Sequence, residues 1–234
     1  MICSIHQPNF LPWMGYFDKI VRSDVFVFLN QVDYEKSGHS MQCYTNRVAI
    51  LDSNNAKKNI HCPVIREHGP QKIDTVQIKA DMAWKEDISG CFRNCYLDAP
   101  FKDEVLNLLD DILSFETQFL SEFNIYAITT ICKELHINTK IVRQDELDTN
   151  YHSTELLAEI ANKVGCDQYL FGGGGSKYQE EKYFEERNVT AVPQDFVPPQ
   201  YNQRNGIPFV GGLSIIDALF WNGISETENI LKKR

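Results

Sequence analysis

The first 34 residues constrain the fold more than any other stretch, because they contain a complete strand–loop–helix–strand pattern. An apolar run over residues 1–5 leads into a polar loop, then a segment with apolar residues at helical spacing, then a second apolar run over 25–29. A short helical crossover of this kind normally joins two parallel, neighbouring strands. In open parallel sheets, ligands bind outside the carboxyl ends of the strands, so we expect a site directly after the first strand.

The loop after the first strand carries three polar side chains close together, His6, Gln7 and Asn9. Pro8 and Pro12 stiffen this loop, because proline fixes φ and cannot donate to a strand ladder. We predict His6 as a catalytic general base, since an imidazole ordinarily has its pKa near neutrality. Gln7 and Asn9 are predicted to bind substrate. The alternative is a His6 that only holds the loop through a hydrogen bond.

Several aromatic residues, including Trp13, Tyr16 and Phe17, follow in the same loop and in the predicted helix. Large aromatic side chains are usually buried, so a core role is the simpler interpretation. Tyr16 is nevertheless predicted as a substrate-binding residue, because an aromatic ring can stack on the face of a sugar. Both interpretations stay open on the sequence.

The composition indicates an ordered globular protein. A chain of 234 residues with 43% hydrophobic content is long enough for one substantial core, and we predict a single α/β domain over 1–234. The net charge of −9 argues against general binding of nucleic acids or anionic membranes, which requires clustered Lys and Arg. A local basic pocket for one phosphorylated ligand is still compatible with this charge.

The chain shows no apolar run of the roughly eighteen residues needed to span a membrane, and no signal-peptide pattern at its start. We therefore expect a cytoplasmic protein without a membrane span. Its seven cysteines are scattered and odd in number, which is unlike a secreted disulfide framework. Cys91 and Cys95 have no second pair at ligand spacing, so we predict no metal site.

Hydrophobic periodicity predicts strands and helices that alternate at both ends of the chain. Further strands are predicted over 41–51, 60–65, 73–78, 139–142, 168–171 and 190–192. Helices are predicted over 84–96, 101–113, 115–135, from 153 onward, over 176–186, over 214–221 and from 225. The fold class is therefore α/β, with a Rossmann-like, mostly parallel sheet flanked by helices and a helical middle section. That middle section, residues 83–136, is a candidate helical subdomain.

A run of four glycines directly follows the predicted strand over 168–171. A glycine loop lets the backbone approach a phosphate or carboxylate, whose charge the N–H groups and a nearby lysine can bind. The run matches neither the Walker pattern nor the dinucleotide fingerprint. A flexible turn is the alternative to a substrate-binding loop, which would comprise Gly173, Gly174, Gly175, Ser176, Lys177 and Tyr178.

Four further polar residues are candidates for the site. Asn46 and Arg47 are adjacent on a predicted strand and point to opposite faces, so we expect one of them to face substrate, with Arg47 the better anion-binding candidate. Asp33, after the second strand, is a candidate base or sugar-hydroxyl acceptor. A surface ion pair for Arg47 and a solvated carboxylate for Asp33 are the alternatives. Asp217, among apolar residues, must cap, pair or face a ligand.

The opening segment from Ile5 to Ile20 resembles the signature of the WbqC-like family. Further segments that resemble the family run through the whole chain. They are 24–27, 32–34, 46–48, Tyr96 with 99–101, 173–178, Phe184, 199–201 with Gln203, and 213–220 with Asn222 and Gly223. The four-glycine run and residues 40–44 depart from the family pattern that we expect.

The resemblance implies a place in bacterial synthesis of O-antigen and other surface polysaccharides. It suggests an enzyme that transfers an acyl or aminoacyl group to the amino group of a nucleotide-linked amino sugar. No cofactor is certain; the donor could be an acyl-CoA or an acyl carrier, or ATP with Mg²⁺ could take part. The alternatives are an ATP-dependent ligase or nucleotidyltransferase of the same pathway and a non-catalytic sugar-binding partner of a glycosyltransferase. The start of the chain is also similar to the adenylating nucleotidyltransferase fold, without its paired histidines.

Overall fold

The computed structural model describes residues 1–35, 44–80, 83–173, 180–204, 206 and 208–233. The strands are β1 (Ile2–His6), β2 (Val25–Phe28), β3 (Arg47–Leu51), β4 (Lys57–His61), β5 (Lys140–Arg143), β6 (Gln168–Phe171) and β7 (Thr190–Pro193). The helices are α1 (Met14–Val21), α2 (Trp84–Cys95), α3 (Lys102–Ser114), α4 (Leu120–Glu134), α5 (Ser153–Lys163), α6 (Lys182–Glu185) and α7 (Ile215–Lys232). The chain divides into two compact units.

The first unit comprises Met1–Gln7, Gly15–Val32 and Ile137–Val197 and is built on a five-stranded sheet. The strand order is β5-β2-β1-β6-β7, and every neighbouring pair is parallel. The predicted α/β class with a Rossmann-like, parallel sheet flanked by helices is therefore confirmed. Residues 168–171, predicted as a strand, form β6 with the same bounds.

Helices cover both faces of this sheet because successive side chains of a strand point to opposite sides. Cys3 and Ile5 of β1 pack in a core cluster with residues of α5 and α6. Ser4, between them, points to the other face, where its Oγ donates to the Lys19 carbonyl of α1 at 3.3 Å. Phe26 of β2 contacts the Tyr16 ring of α1 on that same face, with ring centroids 5.4 Å apart.

The chain reverses direction across the sheet between β1 and β6. From β1 it moves through α1 to β2 on one side, while from β6 it moves through α6 to β7 on the other. This is the topological switch point at which open parallel sheets bind ligands.

The second unit comprises Pro8–Met14, Asp33–His136 and Pro198–Arg234. It contains the antiparallel β3–β4 hairpin and the helices α2, α3, α4 and α7, so the predicted helical section over 83–136 lies within it. Side chains hold the Pro-bounded turn of this unit in place. Ser214 Oγ donates to the Leu11 carbonyl at 2.7 Å, and Asn124 Nδ2 donates to the Pro8 carbonyl at 2.8 Å.

The strand predicted over 73–78 is wrong. Ile73–Thr75 forms a single 3₁₀ turn, in which the Val76 N–H donates to the Ile73 carbonyl. The alternating apolar pattern is real, since Ile73, Val76 and Ile78 are all buried. Local i→i+3 bonds occupy the backbone groups of residues 72–76, and Gln77 and Ile78 form isolated bridges with Phe119 and Val64, so the period-two pattern here reports burial without a continuous strand ladder.

Two helices are several residues shorter than predicted. α4 begins at Leu120 and not at residue 115, because Phe119 forms an isolated bridge with Gln77 before the helix starts. α6 is a single turn over Lys182–Glu185, well short of the predicted helix over 176–186, of which 176–179 lie outside the described residues. The break expected between 221 and 225 occurs inside α7 at Gly223, whose φ is 73°. A side chain there would meet the Phe101 ring at 2.7 Å.

Within the part of the chain that the structure describes, no helix is both long enough and apolar enough to cross a membrane.

Candidate functional site

Lys19 lies at the carboxyl ends of β1 and β6, which makes this edge of the first unit the strongest site candidate. Its Nζ donates to the Ile5 carbonyl at 3.3 Å, near the end of β1. The same Nζ lies 3.9 Å from the position that a Cβ on Gly172 would occupy, directly after β6. The buried ammonium therefore lies close to the ends of both strands that flank the switch point.

Helix α1 carries Lys19 into the interior because the neighbouring Phe17 and Ile20 are core residues. The Lys19 residue is only 4% exposed, and this burial lowers the pKa of its amine to about 8. At neutral pH the amine is still mostly protonated. It thus supplies a positive charge in a poorly solvated position, where an anion would bind strongly.

A side-chain network next to Lys19 fixes α1 to the loop after β7. Gln194 Nε2 donates to Asp18 Oδ2 and to the Gly15 carbonyl, both at 2.7 Å. Arg22 donates to the Gln194 carbonyl and lies 3.5 Å from the Asp18 carboxylate. Gln194 Oε1 lies 3.6 Å from the Cβ position on Gly172, so its amide borders the same space as Lys19.

His6 ends β1, and its ring is held by the residue that follows. Its Nδ1 lies 3.1 Å from the Gln7 carbonyl, which also accepts a hydrogen bond from the Tyr16 hydroxyl at 2.9 Å. A carbonyl can only accept, so Nδ1 carries the proton of this bond and Nε2 holds the lone pair of the neutral ring. Burial, with the nearby charge of Lys19, lowers the pKa of His6 to about 3, and not to the near-neutral value expected from sequence.

Tyr16 is fully buried beneath His6. Its ring meets the His6 ring edge-on with centroids 4.7 Å apart, and its hydroxyl bonds the Gln7 carbonyl. Tyr16 therefore positions the His6 turn from inside the protein. Gln7 is half-buried in the same turn, where its backbone carbonyl receives these contacts.

The structure brings the start of the glycine run to the same edge as His6. The register Ser4↔Leu170 between β1 and β6 places Gly172 opposite His6 when it is extended by two residues. Among the described residues, no atom lies within 4 Å of the Cβ position of Gly173. The remaining predicted residues of this loop, Gly174, Gly175, Ser176, Lys177 and Tyr178, lie outside the described residues.

The other predicted site residues lie in the second unit. Asn9 is buried in the Pro-bounded turn. Asp33 is exposed and forms an ion pair with Lys72 at 2.9 Å. Arg47 is half-buried in β3, opposite His61 of β4. Asn46, just before β3, is 4% exposed and lines a cavity.

The sequence left three possible roles open for Asp217. In the structure, its carboxylate accepts hydrogen bonds from buried donors of the second unit. Its Oδ1 accepts from the Tyr96 hydroxyl at 2.8 Å, and its Oδ2 accepts from the Tyr201 hydroxyl at 2.8 Å and from Gln203 Nε2 at 3.0 Å. Burial raises the pKa of Asp217, although the three hydrogen bonds oppose that shift. Three donors on one carboxylate indicate a structural centre.

Sequence analysis missed Lys19 and Gln194 as residues of the site. A signal for Lys19 was present, since it lies between Phe17 and Ile20 on the apolar side of a short helix. A lysine at such a position must be buried or reach along the surface, and this one is buried. No local pattern identifies Gln194, whose contact with Asp18 joins residues 176 positions apart.

The burial of Lys19 leads to a prediction for how the free energy of unfolding depends on pH. In the folded state its pKa is lowered from 10.5 to about 8, so between these values the unfolded chain binds more protons and folding becomes more favourable as pH rises. At about 1.4 kcal/mol per pKa unit, this change amounts to about 3 kcal/mol. Lys19→Met removes it.

We therefore expect the free energy of unfolding of K19M to exceed that of the wild type at pH 7, and this advantage to shrink by about 3 kcal/mol by pH 11. Urea unfolding of both proteins at several pH values measures the difference. Other titrating groups are common to both proteins and largely cancel. If the free energy of unfolding changed with pH in the same way in both proteins, Lys19 would not be desolvated.

The family model and the relative described below each match nearly the whole chain. A sequence model of the WbqC-like protein family matches residues 7–229. An uncharacterised protein of Mycobacterium tuberculosis, Rv1507c, is 27% identical over 220 residues, which cover 93% of this chain and 92% of the relative. No solved structure matches the chain.

Proposed function

Because the chain belongs to the WbqC-like protein family, we propose that it is an enzyme of bacterial surface-polysaccharide synthesis. The reaction we propose is transfer of an acyl or aminoacyl group to the amino group of a nucleotide-linked amino sugar. Family membership supports the pathway. The proposed reaction is argued from the residues at the edge of the sheet where β1 and β6 end.

The single observation that carries the proposal is the position of Lys19 between these two strand ends. A buried ammonium beside a glycine with no side chain is suited to a phosphate, because the charge and the backbone N–H groups can both reach it. The diphosphate of a nucleotide sugar is such a group. In this proposal it binds against Lys19, at the point where β6 leads into Gly172.

His6 takes the second role in this reaction. The sugar amine attacks the acyl carbon, the new C–N bond forms, and the leaving group of the activated acyl donor departs with the bonding electron pair. The nitrogen then loses a proton, which His6 Nε2 accepts and passes to solvent. The tautomer set by the Gln7 carbonyl supports this role, since it leaves the lone pair on Nε2.

Ligand charge is expected to adjust the basicity of His6. Its pKa is depressed partly by the positive charge of Lys19. A diphosphate bound beside Lys19 offsets that charge and raises the pKa of the imidazole. His6 is therefore a stronger base in the loaded site than in the free protein.

Replacing His6 by Asn tests the catalytic role. We expect nucleotide-sugar binding to persist, because the Lys19 ammonium is unchanged, while turnover falls about 100-fold, as for loss of a general base. Thermal-shift titration with UDP-linked amino sugars measures binding, and mass spectrometry of the acylated sugar measures turnover. The acyl donor is supplied as an acyl-CoA or acyl carrier.

His152→Asn is a matched control, because His152 is an exposed residue of the same unit. Unchanged turnover in H6N would discard His6 as the base. Product that forms only with ATP and Mg²⁺, with pyrophosphate release, would identify the ligase or nucleotidyltransferase instead. Binding without product across all donors would indicate the non-catalytic sugar-binding partner.

A further inference from the structure

Two thiols, those of Cys91 and Cys95, lie one turn apart at the end of helix α2 in the second unit. Their Sγ atoms are separated by 3.9 Å. Cys91 is half-buried, whereas the other five cysteines that the structure describes are buried. Cys91 also lines a cavity of about 210 Å³, together with Trp84 and Ile88 of the same helix. An ion can therefore reach this pair of thiols from the cavity side.

The separation of the two sulfur atoms fits a bridge through one metal ion better than it fits a disulfide. A disulfide needs Cβ atoms about 3.5–4.5 Å apart, whereas residues four positions apart on a helix hold their Cβ atoms at about 5–6 Å. Two metal–sulfur bonds of about 2.3 Å reach across as much as about 4.6 Å. The two thiols thus already lie within the span of a single bound ion.

The number of available ligands decides which metal ion the pair can bind. In the described part of the chain, no group of three or more His, Cys, Asp or Glu side chains is placed to hold a metal ion. Structural zinc sites almost always have four protein ligands, so the pair does not suit zinc. Thiolates are soft ligands that select Cu(I), and this monovalent ion accepts two ligands.

Lys58 of β4 supplies the positive charge that such a complex requires. Two thiolates and one Cu(I) together carry one net negative charge, and a charge that is partly removed from water needs a partner. Lys58 lines the same cavity as Cys91, and interaction with the Cys91 side chain, chiefly as a hydrogen bond, raises the pKa of the lysine. Its ammonium therefore lies next to a sulfur that would carry the charge of the complex.

We propose that Cys91 and Cys95 bind one Cu(I) ion as a two-coordinate thiolate complex, with Lys58 as the counter-ion. Binding breaks two S–H bonds, forms two Cu–S bonds and releases two protons to solvent, and no electron is transferred. This proposal is independent of the reaction assigned to the first unit, because it needs neither His6 nor Lys19.

Competition for Cu(I) with the coloured chelator bathocuproine disulfonate, under a thiol-free reductant, measures the binding. We expect the wild type to take up one equivalent that C91S and C95S cannot take up. Cys132→Ser is the matched control, since Cys132 is a buried cysteine of α4 in the same unit, and it should keep that equivalent. Equal uptake by C91S and C132S would overturn the proposal. The half-buried position of Cys91 keeps the test decisive if C95S fails to fold.

Native mass spectrometry tests whether both ligands come from one chain. We expect a monomeric species in which the mass of one copper ion is present in the wild type and absent in C91S. A copper ion found only between two chains would overturn the proposal, because the ligands would then be thiols of different molecules.

Lys58→Met tests the counter-ion separately. We expect the affinity for Cu(I) to fall about 5-fold, which corresponds to the roughly 1 kcal/mol that an exposed ion pair contributes at most. Lys57→Met is the matched control, because Lys57 is also exposed but points to the opposite face of β4, and it should change little. Equal affinity in K58M and K57M would overturn the role of Lys58 as counter-ion.

Discussion

Lys19→Met is expected to lower the affinity for a UDP-linked amino sugar about 1000-fold. Removing one partner of a buried charge pair costs about 2–5 kcal/mol, and a value near 4 kcal/mol corresponds to three powers of ten in the dissociation constant. The expected loss is large because Lys19 is buried, so water screens its charge poorly. Isothermal titration calorimetry at low and moderate salt measures the affinity.

The fold should survive this change, since methionine fills a similar volume and the variant is expected to be more stable at pH 7. Lys163→Met is the matched control, because Lys163 is an exposed lysine of α5 in the same unit, paired with Glu159. Its affinity for the sugar nucleotide should match that of the wild type. If K19M bound the sugar nucleotide with wild-type affinity, the proposal that the phosphate binds at the edge between β1 and β6 would be wrong.

Asp217→Ala is expected to destabilise the protein by about 4 kcal/mol. The change leaves three donors, the hydroxyls of Tyr96 and Tyr201 and the amide of Gln203, without their acceptor in a buried position. Hydrogen bonds to charged groups contribute about 1.5–3 kcal/mol each, and unsatisfied buried donors keep their desolvation penalty. The stacking of Tyr96 on Phe220, with centroids 4.3 Å apart, should loosen as well.

Chemical denaturation measures this loss as a lower midpoint. Asp110→Ala is the matched control in the same unit, because Asp110 is half-exposed and pairs with Arg93 at the surface. Surface ion pairs contribute about 0–1 kcal/mol, so D110A should change stability little. A similar midpoint for D217A and D110A would mean that the Asp217 cluster is not a structural centre.

The strands of the parallel sheet could be predicted because each is a short apolar run bounded by turn residues. β6 has the predicted bounds, and β1 and β2 differ by a residue or so. Residues 73–78 show the limit of this reasoning, since burial of alternate residues is shared by strands and by irregular segments that cross a core. Only the pairing partner decides between them.

The residues of the candidate site could likewise be predicted from the sequence only in part. His6 could be singled out because a polar residue at the carboxyl end of a parallel strand lies at the edge where ligands bind. The environment of its ring could not be predicted, since its lowered pKa depends on burial and on Lys19, thirteen positions along the chain. Asn46 and Arg47 could be distinguished only in the structure, where Arg47 lies opposite His61 in the hairpin while the buried Asn46 precedes β3 and lines a cavity.

The sequence by itself determined the α/β class, the strand that ends at His6, the glycine run after β6 and membership of the WbqC-like family, because these depend on local pattern or on similarity along the chain. Tertiary structure alone decided that Lys19 is desolvated between β1 and β6, that Gln194 bonds Asp18, and that Asp217 meets two tyrosines. Each of these depends on atoms brought together from distant positions. Solvent exclusion and hydrogen-bond partners are properties of the packed chain, and no local pattern encodes them.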